Sequence, residues 1–233
     1  MSNNSYLSLL LDGPMQSWGF SSQFRFRTTG LYPTKSGVIG ILAAAMGIDK
    51  YSSRAAEEIS KLSELKMVSI ALPRNDCLYS DSQAEPSLLI DYHTVKETKS
   101  ADNKKLLNAV QTMRHYLCDR RFGILLTGDS NLLHQVAEAL KNPRWGIWLG
   151  RKCCIPSTPL FVEVAQDLDT AWYALLRRAG FSSEYPLDAF KRMEDVDEFS
   201  KGTDTILDKP ISFAEPRQYA PRRIVIKQNQ LLK

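Results

Sequence analysis

Gly13–Ile48 reads GPMQSWGFSSQFRFRTTGLYPTKSGVIGILAAAMGI, and its two halves ask for different structures. The first half is polar, carries Gln16, Trp18, Phe24, Arg25, Phe26, Arg27 and Tyr32, and belongs to an acid-free stretch running from Asp12 to Asp49. The second half opens with Pro33-Thr34-Lys35-Ser36-Gly37, a helix start, and continues as a nearly unbroken apolar run. Ahead of both lies Tyr6–Leu11, an apolar run that predicts a buried strand. A strand therefore delivers a long basic and aromatic loop, and a buried helix closes it. Unpaired amides in the first turn of that helix, its positive dipole end and the side chains of Thr34, Lys35 and Ser36 together predict a phosphate seat. The plainer alternative is a solvated lysine beside a helix cap. A nucleotide-hydrolysing P-loop is a separate matter, because it needs glycines one and six positions before its Lys-Ser/Thr pair, and here those positions hold Thr34 and Thr29.

Working outward, Gly37–Met46 is apolar almost all round, which predicts a buried helix whose Gly37, Gly40 and alanines let it approach the sheet closely. Ser53–Leu62 predicts a second short helix. Leu65–Leu72 alternates Leu65, Met67, Ser69 and Ala71 with Val68, Ile70 and Leu72, the pattern of a strand buried on both faces. The segment 74–121 is the least globular, with charged and polar residues around a strand-like run Leu88–Val95; Asn103–Leu117 predicts a helix carrying Leu106, Val110 and Met113 on one side. Phe122–Leu126 then predicts a core strand, Ser130–Lys141 an amphipathic helix, and Leu160–Val164 a further strand. Later still, Thr170–Arg178 predicts a helix and Ile224–Ile226 a returning strand.

The core order is thus strand, helix, strand, insertion, strand, helix, strand. That order predicts a single α+β domain spanning 1–233, a ferredoxin-like antiparallel sheet covered by helices on one face, interrupted by a long insertion. At 233 residues and 43% apolar content the chain can build a proper core. No apolar run approaches the roughly 18 residues that a membrane helix needs, and Met1–Ser5 is polar, so the expected location is the cytoplasm. Cys77, Cys118, Cys153 and Cys154 offer neither a CxxC pair nor a histidine at ligand spacing, so the expectation is reduced thiols, no metal and no cofactor. Net charge is only +4, too mild to argue from, but its distribution is uneven. Arg217–Lys233 carries five basic residues and no acid, whereas Glu184–Asp208 holds eight acids against three bases. Such a split predicts one face for a polyanion and another for protein or solvent.

Several separated blocks then resemble one family in the same order. GPMQSWG at Gly13–Gly19 and RTTGLYPTKSGVIGILAAAMGI at Arg27–Ile48 are similar to the amino-terminal signature of the CasD family, which holds the repeat-derived 5′ handle of the guide RNA in type I-E CRISPR Cascade. DYHTV at Asp91–Val95, YLCD at Tyr116–Asp119, LGR at Leu149–Arg151, PLF at Pro159–Phe161 and PRQYAPR at Pro216–Arg222 follow. About Asp167 to Lys209 has little that matches. The resemblance implies an RNA-recognition-like fold, makes 74–121 a β-hairpin thumb, and implies antiviral defence as the setting. Implied partners are the crRNA 5′ handle, the backbone subunit CasC, the large subunit CasA, and target DNA through the assembled complex.

RNA handles are held by amides and guanidiniums on phosphate and by stacking on aromatic or guanidinium planes. Arg25, Arg27 and Lys35 are the phosphate candidates, with Thr34 and Ser36 beside them; Gln16 is a base-edge or ribose contact, and Trp18 is either a stacker or a core plug. Arg151 and Lys152 after Gly150, and Arg217 and Tyr219 between Pro216 and Pro221, are basic segments in irregular backbone that the resemblance lifts above ordinary surface charge. Tyr92 and His93 join them from DYHTV. They also raise an enzyme alternative, a metal-independent endoribonuclease using Tyr92 and His93 with Lys96 or Lys35, as type I-C relatives process precursor guide RNA. In type I-E that task belongs to CasE, so the expectation is a non-catalytic RNA-binding subunit. A general single-stranded RNA-binding module outside CRISPR is the other alternative.

Overall fold

The computed structural model describes residues 4–19, 25–74, 87–99, 102–104 and 109–228. Leu106, Phe24 and Cys77 lie outside them. The opening strand β1 (Asn4–Asp12) has an antiparallel partner on each edge, and its apolar side chains are sequestered on both faces. The helix predicted after the loop is α1 (Lys35–Met46), and α2 (Ala55–Ser63) follows directly. Then come β4 (Lys66–Leu72), β7 (Arg121–Asp129), α3 (Ser130–Lys141), β8 (Phe161–Ala165) and α4 (Leu168–Arg178), while the strands between β4 and β7 belong to a separate small sheet. Side-chain carboxylates cap α3 and α4: Asp129 accepts from the Leu132 amide at 2.9 Å, and Asp167 from the Thr170 amide at 2.8 Å.

Helices lie on both faces of the main sheet, not one. Leu7, Leu9 and Leu11 pack with α1, α2 and α3, while Leu10, Ile70, Leu72 and Leu125 pack under Trp172, Leu175 and Leu176 of α4. The alternation read in Leu65–Leu72 holds in full: Leu65, Met67 and Ala71 join the first cluster, Val68, Ile70 and Leu72 the second. A strand buried on both faces needs a cover on both, and α4 with Phe181 and Phe190 supplies the second.

The sheet is also wider than the sequence announced. Its order is β10-β11-β9-β4-β7-β1-β8, with β9 (Arg192–Asp195), β10 (Asp204–Ser212) and β11 (Gln218–Lys227) added beyond β4. These strands put the acidic and basic segments side by side, so the expected split into two oppositely charged faces does not occur there. Arg222 on β11 binds Asp195 on β9 and Asp208 on β10, and Lys227 binds Glu194 at 2.8 Å.

The second sheet is built on β6 (Val110–Cys118), which the sequence reading made part of a helix. Eight residues of β5 (Leu88–Val95) pair antiparallel with it, Leu88 opposite Leu117 and Val95 opposite Val110. On the other edge of β6, β2 (Met15–Gln16) pairs antiparallel near its end, and β3 (Phe26–Arg27) pairs parallel at Met113–Arg114. Val110, Met113 and Leu117 recur at spacings of three and four, a helical signature, but Thr112, Tyr116 and Leu117 are buried and the partner strands satisfy the backbone. Short apolar periodicity loses to a ready-made ladder.

Candidate nucleic-acid interface

The expected phosphate seat at the start of α1 is already filled by the protein's own carboxylates. Thr34 caps the helix by accepting from the Gly37 amide at 3.2 Å, and Ser36 Oγ turns back on the Thr34 hydroxyl at 3.5 Å. The Lys35 amide donates to Asp208 Oδ2 at 2.8 Å, and Lys35 Nζ lies 2.8 Å from Asp195 Oδ2. Thr34 and Lys35 are buried. Burial pushes the Lys35 ammonium below its ordinary range, against the opposing pull of Asp195. The helix end is an anion site, as its amides require, but its anion is Asp208, while Asp195 takes the Lys35 ammonium.

Gln16 and Trp18 are corrected in the same way. Gln16 is fully buried; its amide nitrogen donates to Leu11 O at 3.0 Å and to Arg120 O at 2.8 Å, and its oxygen accepts from Trp18 Nε1 at 3.1 Å. Fully buried, Gln16 presents nothing to a base. Trp18 is a core plug, and Gly37 exists to admit it: a Cβ on Gly37 would stand 2.8 Å from the indole ring. The close approach expected between Gly37 and the sheet is thus made to Trp18, while at Gly40 the nearest side chain is Phe213, 3.9 Å from where a Cβ would stand.

What remains of the loop is its basic rim. Arg25, Phe26 and Arg27 are exposed, and β3 holds them against β6, where the Met113 amide donates to Arg25 O at 2.7 Å and Arg25 Nη2 donates to Gln111 Oε1 at 2.9 Å. Strand register sorts the side chains by face. Phe26, Met113 and Tyr92 lie in one row across β3, β6 and β5, and Arg27, Arg114 and Asp91 in a row on the other face. Phe26 and Tyr92 are more than half exposed, at 57% and 56%. Arg114 was missed in the sequence because it was placed on a helix.

Arg151 ties a second segment to this rim. Its guanidinium donates to Arg27 O at 2.7 Å and His115 O at 3.3 Å and lies over the Tyr116 ring, 4.7 Å from the centroid. The turn that carries it is locked onto the loop: the Leu149 amide donates to Cys154 O at 2.8 Å, and Leu149 O accepts from the Ser17 amide at 3.0 Å. Gly150 has a φ of 94° and sits so close to Ser17 that a Cβ would fall 1.8 Å from its carbonyl oxygen. Lys152 is exposed, with Nζ 5.9 Å from the Trp148 ring centre. Like the stretch Asp12–Asp49, the stretch Glu138–Glu163 has no acid between its ends, and this was the signal that marks Trp148 and Lys152 together. Two acid-free stretches thus meet at Arg27 and Arg151.

Tyr92 and His93 are neighbours on a strand and project to opposite faces of the hairpin, with His93 Nδ1 3.8 Å from Asp91 Oδ2. Lys35 is committed to Asp195, so the pairing drawn for a ribonuclease is not assembled around it. Arg217 and Tyr219 lie at the start of β11, which β9, β4 and β7 separate from β1; Arg217 is exposed, Tyr219 is half-buried opposite Pro210, and their described contacts do not bring them to Arg27 and Arg151. Cys118, Cys153 and Cys154 are free thiols, and no group of metal-ligating side chains occurs among the described residues. Nor, among them, is any helix long and apolar enough to cross a membrane.

Comparison with known proteins gives a consistent answer. The family model described as CRISPR-associated protein (Cas_Cas5) matches residues 6–225. The CRISPR system Cascade subunit CasD of Escherichia coli strain K12 is 33% identical over 170 residues, 71% of this chain and 73% of that protein. Among solved structures, a crystal structure of a Cas protein is 29% identical with a TM-score of 0.66, covering 95% of this chain and 93% of that one. A chain of a CRISPR RNA-guided surveillance complex shares the fold with a TM-score of 0.71 at 24% identity, covering 96% and 90%.

Proposed function

This chain belongs to the CRISPR-associated Cas5 family, and we propose that it serves as the CasD-type subunit of a Cascade-like surveillance complex, gripping the repeat-derived 5′ handle of a guide RNA and capping the backbone filament. The observation that carries the reading is the junction of the two acid-free stretches through Arg151 and Arg27 O, a cationic rim backed by a rigid turn. Single-stranded RNA binds such rims by phosphate contact first and stacking second. Arg25, Arg27, Arg114, Arg151 and Lys152 hold phosphates in this reading. Tyr92 and Phe26 offer planes to splayed bases, and Arg217 and Tyr219 form a separate patch for a further length of the same RNA.

The strand order β4-β7-β1-β8 with its intervening helices supports a ferredoxin-like core, to which β9, β10 and β11 are appended. The hairpin β5–β6 is the thumb of the 74–121 insertion. Its exposed Leu88, Ile90 and Tyr92 call for burial against the backbone subunit CasC or the RNA, while CasA lies beyond the handle and target DNA is met by the assembled complex. The action is cytoplasmic, antiviral and non-catalytic. The ribonuclease alternative loses Lys35 and is left with Lys96, and its Tyr92 and His93 project to opposite faces of the hairpin.

The test is to purify the chain from cells carrying the CRISPR array and sequence the RNA that accompanies it. Guide RNAs protected at their repeat-derived 5′ ends support the reading. RNA of unrelated sequence leaves a general RNA-binding module, and repeat RNA cut by the purified chain in chelator returns the ribonuclease.

A further inference from the structure

We propose that Trp148 is a base-stacking subsite for single-stranded RNA, with Lys152 on the phosphate of the same nucleotide. The inference rests on the guide-RNA reading and extends it to a residue that neither the fold's core nor the rim described above requires. The chain's four tryptophans divide into two kinds. Trp18 and Trp172 are buried, their indole N–H groups bonded to Gln16 Oε1 and Tyr185 O. Trp145 and Trp148 are 44% and 37% exposed. Only these two indole rings are therefore open to a planar partner, and what distinguishes Trp148 is how it is held.

Trp148 is held ready in a way a loose surface ring is not. Leu149, the next residue, is fully buried and anchored by hydrogen bonds to Cys154 and Ser17. Gly150 then presses on Ser17, so the backbone beneath the ring is immobilised against the loop that carries Arg27. In the segment that carries the ring the charge has one sign: Lys152 Nζ lies over the ring, 5.9 Å from its centre, Arg151 follows Gly150, and no acid falls between Glu138 and Glu163 in sequence. A fixed aromatic plane flanked by cations and continuous with a basic rim is the combination that single-stranded nucleic acid recognises without reading its sequence. Trp145 differs, since its amide is tied to Ala44 O at the end of α1, and it serves as the internal control.

The full-length chain is titrated with an oligouridylate of about 12 nucleotides and, separately, with inorganic tripolyphosphate, following tryptophan emission and, by anisotropy, the affinity for the labelled RNA. The RNA is expected to quench the emission and tripolyphosphate to leave it unchanged, because only a base stacks. Trp148→Ala should weaken RNA binding about tenfold, the scale of one stacked base. Trp148→Phe should keep affinity within about threefold while losing the quenching, which a role in folding alone does not produce. Trp145→Ala should behave as the wild type. Unchanged affinity and quenching in Trp148→Ala, with Arg27→Ala still weakening the RNA, overturns the subsite and leaves the guide-RNA reading standing. No RNA binding by the folded wild type removes both.

Discussion

Lys35 Nζ meets Asp195 Oδ2 at 2.8 Å although 160 residues separate them in sequence. The pair belongs to a buried chain of charges, for Arg222 binds Asp195 and Asp208, and Asp208 accepts the Lys35 amide. Removing Asp195 leaves two buried cations with Asp208 alone between them, whereas removing Lys35 leaves Asp195 still bound by Arg222 and the Met67 amide. Asp195→Ala should therefore cost about 3–5 kcal/mol and Lys35→Met distinctly less. Urea unfolding of the two variants checks the order; equal losses would show that the ammonium matters as much as the carboxylate.

Gln16 presents a different kind of buried polarity. Its three hydrogen bonds join β1, the connection before β7 and the Trp18 ring, so Gln16→Leu keeps the volume but strands two carbonyls and an indole N–H. A loss of about 1–3 kcal/mol is expected in unfolding, with RNA affinity unchanged once the variant is folded at low temperature. Weakened RNA binding at full stability would restore Gln16 as a contact residue.

These two residues show where sequence reasoning stopped. Periodicity found β1, α1, α2, β4, β7 and α3 because each buries a stripe or face determined by its own residues, and both faces of β4 could be read from one alternation. Arg25 and Arg27 were legible from residue types and missing acids, whereas Arg151 was lifted above ordinary surface charge only by the family resemblance. Lys35 was not legible, since its partners arrive from β9 and β10, and a helix N-terminus looks the same in sequence whether an RNA phosphate or a distant aspartate fills it. For β6 the missing information was the long pairing with β5, which outweighs a short helical spacing.

Cys154 and Cys153 are adjacent and should behave oppositely. Cys153 is exposed, while Cys154 is buried and its thiol is pushed from the usual 9.0 up to about 12, first by burial. Iodoacetamide at pH 8 should alkylate Cys153 in the folded chain and reach Cys154 only in denaturant, as peptide mapping will show. The raised value also gives a sign for stability. Above pH 9 the unfolded chain loses this proton and the folded chain keeps it, so folding weakens by up to about 1.4 kcal/mol per pH unit until roughly pH 12. Below pH 9 the thiol is protonated in both states and contributes no slope. Cys154→Ala should flatten the alkaline limb relative to the wild type; parallel limbs would assign the slope to other groups.

Salt dependence separates rim cations from buried ones without a structure of the complex. A phosphate-bound cation displaces condensed counterions, and each such contact on a single strand contributes roughly 0.7 to the log-log slope of affinity against salt. Arg27 and Lys152 are exposed, whereas Lys35 is buried against Asp195. The double variant Arg27→Ala with Lys152→Ala should lower the slope by about 1.4 and weaken binding most at low salt. Lys35→Met should leave the slope where it was, even if it costs stability. Anisotropy titrations of labelled repeat RNA from low to moderate salt give all three slopes from folded protein. A lower slope in Lys35→Met with none in the double variant would place the phosphates at α1 and would require Asp208 and Asp195 to be displaced when RNA binds.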